Sequence, residues 1–256
     1  MKRIHVLLGL VFLLTGLGLQ AGCGSVEQCI VVGDSLADLG EHDAALQAFL
    51  NALEQDSMNY DANWKAGDQY TEVAKNLPDK EKDAKEEKFD LARQCCEKAI
   101  EINPDGWEGH TYLAIALGRL ALFRGGKEKI NMSKQVKAEA DKGIELNPEN
   151  DIAYHVVGLW HRNLANLSWV LKSFAKLLYG GVPPGSNEEA VANLKKAIEI
   201  KPTHINHYLE LAKTYKEMGE KKLMREPLEK VLELPATEPD DAEHKEEAKK
   251  LLAELK

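Results

Sequence analysis

The sequence predicts an all-α chain: a right-handed superhelical solenoid of five helix hairpins, with lengthened middle hairpins and a C-terminal capping helix. Three observations carry that prediction. Small or apolar residues recur at steps of four, three and five, as Ala45, Phe49, Ala52 and Ser57. The steps return at Ala92, Cys96, Ala99 and Pro104, at Val136, Ala140, Gly143 and Pro148, and at Ala190, Leu194, Ala197 and Pro202. A last copy, one residue short, reads Met224, Leu228, Val231 and Pro235. Upstream of each copy stands one small residue where two helices can cross closely: Gly33, Gly67, Ala114, Gly158 and Ala212. Finally, Gly33 and Gly67 lie 34 residues apart, the length of a two-helix repeat that buries its apolar face only against its neighbours.

Taken in order, residues 1–22 read as a secretory leader. Lys2 and Arg3 precede an apolar run from Ile4 to Leu19, short of the ~20 residues that span a bilayer comfortably. The run ends in Leu19-Gln20-Ala21-Gly22-Cys23, and Ala-Gly-Cys resembles the tail of a bacterial lipoprotein box, which makes Cys23 the candidate lipidation site. Gln20 stands where that box usually has leucine, and cleavage near Ala21 or an uncleaved anchor are the alternatives. The solenoid then occupies residues 23–237, with hairpins over about 26–59, 60–106, 107–150, 151–204 and 205–237, and a capping helix within 238–256.

The spacing from the small crossing residue to the second helix distinguishes the hairpins. It is 12 residues from Gly33 to Ala45 and from Ala212 to Met224, but 25 from Gly67, 22 from Ala114 and 32 from Gly158. All three insertions therefore fall inside a hairpin and should project from one edge. The first, around Asp79 to Lys88, is charged and reads as a solvated helix extension; the second, Phe123-Arg124-Gly125-Gly126, reads as a turn. The third carries Trp169, Val170, Phe174, Leu177 and Leu178 at helical spacing with Lys172 and Lys176 opposite, and stops at Gly180-Gly181-Val182-Pro183-Pro184-Gly185. Such a stripe ordinarily packs on its own array; otherwise it serves as a lid or docking helix.

Composition narrows the function. A formal charge of -9, or -11 without Lys2 and Arg3, argues against nucleic acid. No Gly-rich phosphate loop, nucleophile elbow or His-Glu-x-x-His occurs, so no catalytic, cofactor or metal site is assigned. His204 and His207, three apart at a helix start, read as surface decoration. With Cys23 acylated, Cys29, Cys95 and Cys96 remain without framework spacing, and Cys96 on a repeated apolar position reads as core.

The 34-residue hairpin pattern resembles the tetratricopeptide repeat (TPR). A narrower likeness follows from Asn147-Pro148-Glu149-Asn150, Ala153-Tyr154-His155, Gly158-Leu159-Trp160 and Ala165-Asn166-Leu167-Ser168-Trp169. It continues through Leu178-Tyr179-Gly180, Pro183-Pro184 and Glu188-Glu189-Ala190 to Tyr208-Leu209, Lys213 and Leu234-Pro235. In that order these residues resemble the regulator of microtubule dynamics family. The resemblance implies a helical-repeat fold and a groove for a partner or a phospholipid. Microtubule binding is not carried over, because a bacterial-style leader directs this chain elsewhere.

In repeats of this kind the first helix of each pair faces the concave side. The groove residues so predicted are Trp64, Ile115, Arg119, His155, Leu159, Arg162, Asn163, Lys213 and Lys216, with Ile30, Asp34, Asp38, Asp68 and Glu72 toward the N-terminus; Trp169 and Phe174 join them from the insertion. The groove should thus be acidic at one end and basic at the other, and the basic half could hold a carboxylate or phosphate. The expected function is a non-enzymatic, membrane-tethered TPR protein binding a protein partner in the cell envelope, on the periplasmic side if it is a Gram-negative lipoprotein. A lipid-binding or lipid-transfer module using the groove and residues 164–187 is the alternative.

Overall fold

The computed structural model describes residues 23–255, and the leader expected at 1–22 lies outside them. Twelve helices and no strand occur among the described residues. They pair as α1 (Val26–Asp38) with α2 (His42–Gln55), α3 (Tyr60–Asn76) with α4 (Lys82–Ile102), and α5 (Trp107–Leu120) with α6 (Gly126–Leu146). Next, α7 (Asp151–Ala165) pairs with α9 (Asn187–Ile200), leaving α8 (Trp169–Tyr179) as an insertion between them. The fifth pair is α10 (Ile205–Glu217) and α11 (Lys221–Glu233), against which α12 (Asp241–Ala253) packs as a cap. No described helix is long and apolar enough to cross a membrane.

The local sequence sets each boundary. Asn59 and Asn150 accept the N–H of Ala62 and Ala153, capping α3 and α7. Ser25, Ser168 and Ser186 do the same for α1, α8 and α9. Gly180, at φ +81°, ends α8 in the left-handed conformation that glycine adopts without strain. The prolines that close four of the copies stand just beyond α4, α6, α9 and α11, where no helical N–H is required.

The repeated positions are the core. Ala45, Ala52, Ala92, Cys96, Ala99, Ala140, Ala190, Leu194, Ala197, Leu228 and Val231 have no exposed surface. The small residues facing them allow near contact. A Cβ on Gly33 would meet the Phe49 ring at 2.4 Å, one on Gly67 the Cys96 Sγ at 2.5 Å, and one on Gly158 the Leu194 Cγ at 2.8 Å. Each hairpin is thereby drawn together at the same height along its helices.

The insertions lie along one edge. Two of them are helix extensions: α4 and α6 run 21 residues against 14 in α2. They are linked to one another, because Arg124 in the α5–α6 turn pairs with Glu86 of α4 and with Glu128 of α6, and Phe89 packs on Phe123. Tyr179 of α8 reaches Gly126, extending the wall.

Two substitutions test the close crossing. Gly67→Val is expected to cost about 1–3 kcal/mol or more, because the added carbons have no room beside Cys96 and the Ala92 carbonyl. Gly118→Ala, whose Cβ would meet nothing nearer than Val136 at 3.9 Å, should be neutral or stabilising by up to about 1 kcal/mol. Urea unfolding of the two variants reads the difference.

Candidate interaction groove

Helices α1, α3, α5, α7 and α10, the first of each pair, pack side by side and form the inner wall. Trp64 of α3 stacks on Tyr112 of α5 with ring centroids 5.0 Å apart, and its indole N–H donates to Asp61. Ile115 and Leu159 are half-buried, His155 is buried, and Arg119 and Asn163 are exposed.

The charges differ from the predicted gradient. Arg162 pairs with the buried Glu210 at 2.6 Å and also donates to its backbone carbonyl. Lys213 pairs with Glu210 and with Glu247 of α12, and Lys216 with Glu254. The basic half is therefore neutralised from within: Glu210 comes from the same helix as the lysines, and the cap supplies the other two acids. Glu210 meets a burial cost that raises its pKa, but the nearby Arg162 and Lys213 charges outweigh it and hold the group ionised. Of the four predicted cations, Arg119 alone makes no ion pair among the described residues. At the acidic end Lys65 pairs with Asp34, and Lys75 with Glu72.

Trp169 and Phe174 do not join the groove. Helix α8 packs only on α6 among the described helices, so its apolar face is open. Trp169 is 76% exposed, Leu177 80% and Phe174 59%, while Ala175 is the buried residue of the helix. The ordinary expectation, packing onto the parent repeat, fails because the Gly180-Gly181 turn and the prolines carry the chain on to α9 without folding α8 back.

Residues 238–240, assigned from the sequence to the capping segment, lie across the groove instead. Pro239 touches Gly40 in the α1–α2 turn, Asp240 pairs with Lys75 of α3 at 2.9 Å, and Glu238 pairs with Lys201 at 3.1 Å. The segment is held in shape by the buried Asp241, whose carboxylate accepts the N–H groups of Thr237 and Glu238 at 2.7 and 2.8 Å. Partial burial pushes the Asp240 carboxyl up, but its hydrogen bond to Lys75 wins and holds it below the usual range.

At the other end of that crossing sits a histidine cluster. His155 and His207 meet through their Nδ1 atoms at 2.9 Å, and His207 Nε2 lies 2.9 Å from Asp151 Oδ2. His204 stacks on His207 with centroids 4.0 Å apart. Burial, with the neighbouring His207, lowers the His204 pKa to about 4, and burial drives His155 well below its ordinary value. The reading of His204 and His207 as surface decoration is corrected: His207 is fully buried because α10 begins by packing its first turn against α7. Register could have revealed this, since Asp151 and His204 both stand at the starts of successive inner helices.

Cys23 is disulfide-bonded to Cys29. A sulfur in that bond cannot also carry a thioether-linked lipid, so the cross-link and acylation exclude each other. Cys95 and Cys96 are free thiols, and burial raises both pKa values.

A sequence profile of the regulator of microtubule dynamics protein 1-3 family matches residues 30–256. The chain belongs to that family. Regulator of microtubule dynamics protein 1 of Bos taurus is 29% identical over 229 residues, covering 89% of this chain and 71% of the relative. Protein 2 of the family from Macaca fascicularis is 31% identical over 191 residues, covering 74% of this chain but 45% of the relative. Among solved structures, a thermophilic TPR protein of Thermus thermophilus superposes with a TM-score of 0.66 at 18% identity, covering 90% of this chain and 100% of that one. That likeness establishes the TPR solenoid in this family member and nothing of its ligand.

Asp68 offers a test of the wall. It is partly buried beside Glu72, and burial together with that charge raises its pKa to about 7, while Gln69 donates to it at 2.8 Å. A carboxyl whose folded pKa is raised binds more protons folded than unfolded, so this group removes stability as pH rises from about 4 to 7. Asp68→Asn should therefore raise the melting temperature by about 2–4 °C per kcal/mol recovered at pH 8, with the gain shrinking toward pH 4. Thermal melts across that range should converge at the acid end.

Proposed function

We propose that the chain is a non-enzymatic interaction module whose groove receives an extended acidic segment of a protein partner. Its own residues 235–241 occupy that place when no partner is bound. The observation that carries this reading is the crossing of the groove by Glu238, Pro239 and Asp240 between Lys201 at one side and Lys75 and Gly40 at the other. TPR solenoids present a concave surface built for extended binding, and here the ions that line the crossing are matched to carboxylates. The expected leader at 1–22 would export the chain to the cell envelope; with Cys23 held in the disulfide, the tether would be the uncleaved leader itself, and a Cys23–Cys29 disulfide belongs with an oxidising compartment.

Displacement is directly measurable. In the variant Glu238→Gln with Asp240→Asn, a synthetic peptide of residues 234–242 should bind about tenfold more tightly than it binds the unaltered chain, because its intramolecular competitor is weakened. Equal affinities by calorimetry would show that the segment does not occupy a ligand site.

A second reading, docking to phospholipid, rests on α8 alone. That helix exposes Trp169, Phe174, Leu177 and Leu178 and carries Lys172 and Lys176 without an acidic residue, the composition of a helix that lies in a membrane interface. Vesicles rich in phosphatidylglycerol should then sediment the chain, and Phe174→Ser with Leu177→Ser should leave it in the supernatant.

A further inference from the structure

The start of α10 gathers donor atoms that the interaction reading does not use. Asp151, His204 and His207 each offer one ligand atom within 4.8 Å of the other two. Glu238 Oε1 stands 3.5 Å from His204 Nδ1, and Asp151 Oδ2 is 3.9 Å from the same atom and 2.9 Å from His207 Nε2. The edges of a tetrahedron with zinc–nitrogen and zinc–oxygen bonds of 2.0–2.1 Å measure about 3.3 Å, so these three separations bracket the required value.

Two further features single the cluster out from ordinary ion pairing. The side chain of His204 is nine-tenths buried, and its Nδ1 has no hydrogen-bond partner, an arrangement that costs free energy while the atom stays unliganded. His207 is backed by His155 at 2.9 Å through the nitrogen that does not face Asp151. A metal-bound imidazole needs such a partner to fix its ring and tautomer. The Nδ1–Nδ1 contact serves in either direction: His155 donates while His207 Nε2–H is given to Asp151, and His207 donates once its Nε2 lone pair is engaged.

We propose that Asp151, His204 and His207 form a binding site for a divalent transition metal of the zinc class, with Glu238 as the fourth ligand. Two imidazoles and two carboxylates suit zinc better than calcium or magnesium, which take oxygen ligands. The two stacked rings fan apart on binding so that both lone pairs aim at one point. Three of the ligands come from α7 and the start of α10, so they are present whether or not residues 235–241 leave the groove. With Glu238 engaged, the ion would also pin that segment in place.

Calorimetric titration of the purified, tag-free chain with zinc chloride tests the site. One ion per chain is expected, with a Kd below about 10 μM. His204→Gln removes a ligand without breaking a hydrogen bond and should weaken binding by at least tenfold, as should Asp151→Asn; Glu238→Gln should weaken it less. His161→Gln, a half-buried histidine outside the cluster, should leave it unchanged. Thermal melts supply the check on folding: zinc should raise the melting temperature of the unaltered chain and of His161→Gln, and that of His204→Gln by less at the same zinc concentration. Absence of binding in this range overturns the site, and so does equal binding by His204→Gln and His161→Gln. Loss of binding by Glu238→Gln to the level of the Asp151→Asn variant would overturn the assignment of Glu238 as the lesser ligand.

Discussion

The structure depends on how closely the two helices of each hairpin cross. Gly33, Gly67 and Gly158 leave no space for a Cβ beside Phe49, Cys96 and Leu194, so the helices of these hairpins cross closely. Ala114 and Ala212 serve the same role with one carbon more and are fully buried. Because each hairpin is fixed at the same height, successive inner helices fall in register. That register brings side chains such as Trp64 and Tyr112, Arg162 and Glu210, or His155 and His207 into contact across repeat boundaries. A loosened crossing would act on the groove before it acted on helix content.

A concave wall of this kind has unsatisfied polar capacity, and the chain satisfies much of it internally. The cap supplies Glu247 and Glu254 to Lys213 and Lys216, and the segment before it supplies Glu238 and Asp240 to Lys201 and Lys75. Partly exposed ion pairs of this sort contribute little to stability singly, which suits contacts that must be exchanged for those of a partner. The Asp241 carboxylate, by contrast, is buried and bonded to two backbone N–H groups, so it shapes the segment whether or not its outer contacts hold.

Much of this was legible in the chain. Positions with no exposed surface, such as Ala92, Cys96 and Ala99, are those whose spacing repeats, because packing between neighbouring helices acts on every hairpin alike. The insertions and the family likeness were legible too, being matters of length and local order. Charge partners between helices were not. Arg162 looks free along the sequence, and only the register of α7 on α10 brings Glu210 to it; Lys213 has Glu210 one turn before it, and the packing of α12 on α10 adds Glu247. The Pro239 and Asp240 contacts with Gly40 and Lys75 join residues some 165 or more apart, beyond the reach of any periodic pattern. Helix α8 was recognised as amphipathic, yet whether its face is covered depends on where the following turn sends the chain.

The chain's own acidic segment crosses the groove. Zero-length carbodiimide cross-linking of the monomer, read by mass spectrometry, tests that crossing most directly. Lys75 should be joined to Asp240 and Lys201 to Glu238, alongside Lys213 to Glu247 as an internal reference for the cap. Recovery of the Lys213–Glu247 link without either of the others would mean that the cap docks while the segment stays out of the groove, contradicting the crossing.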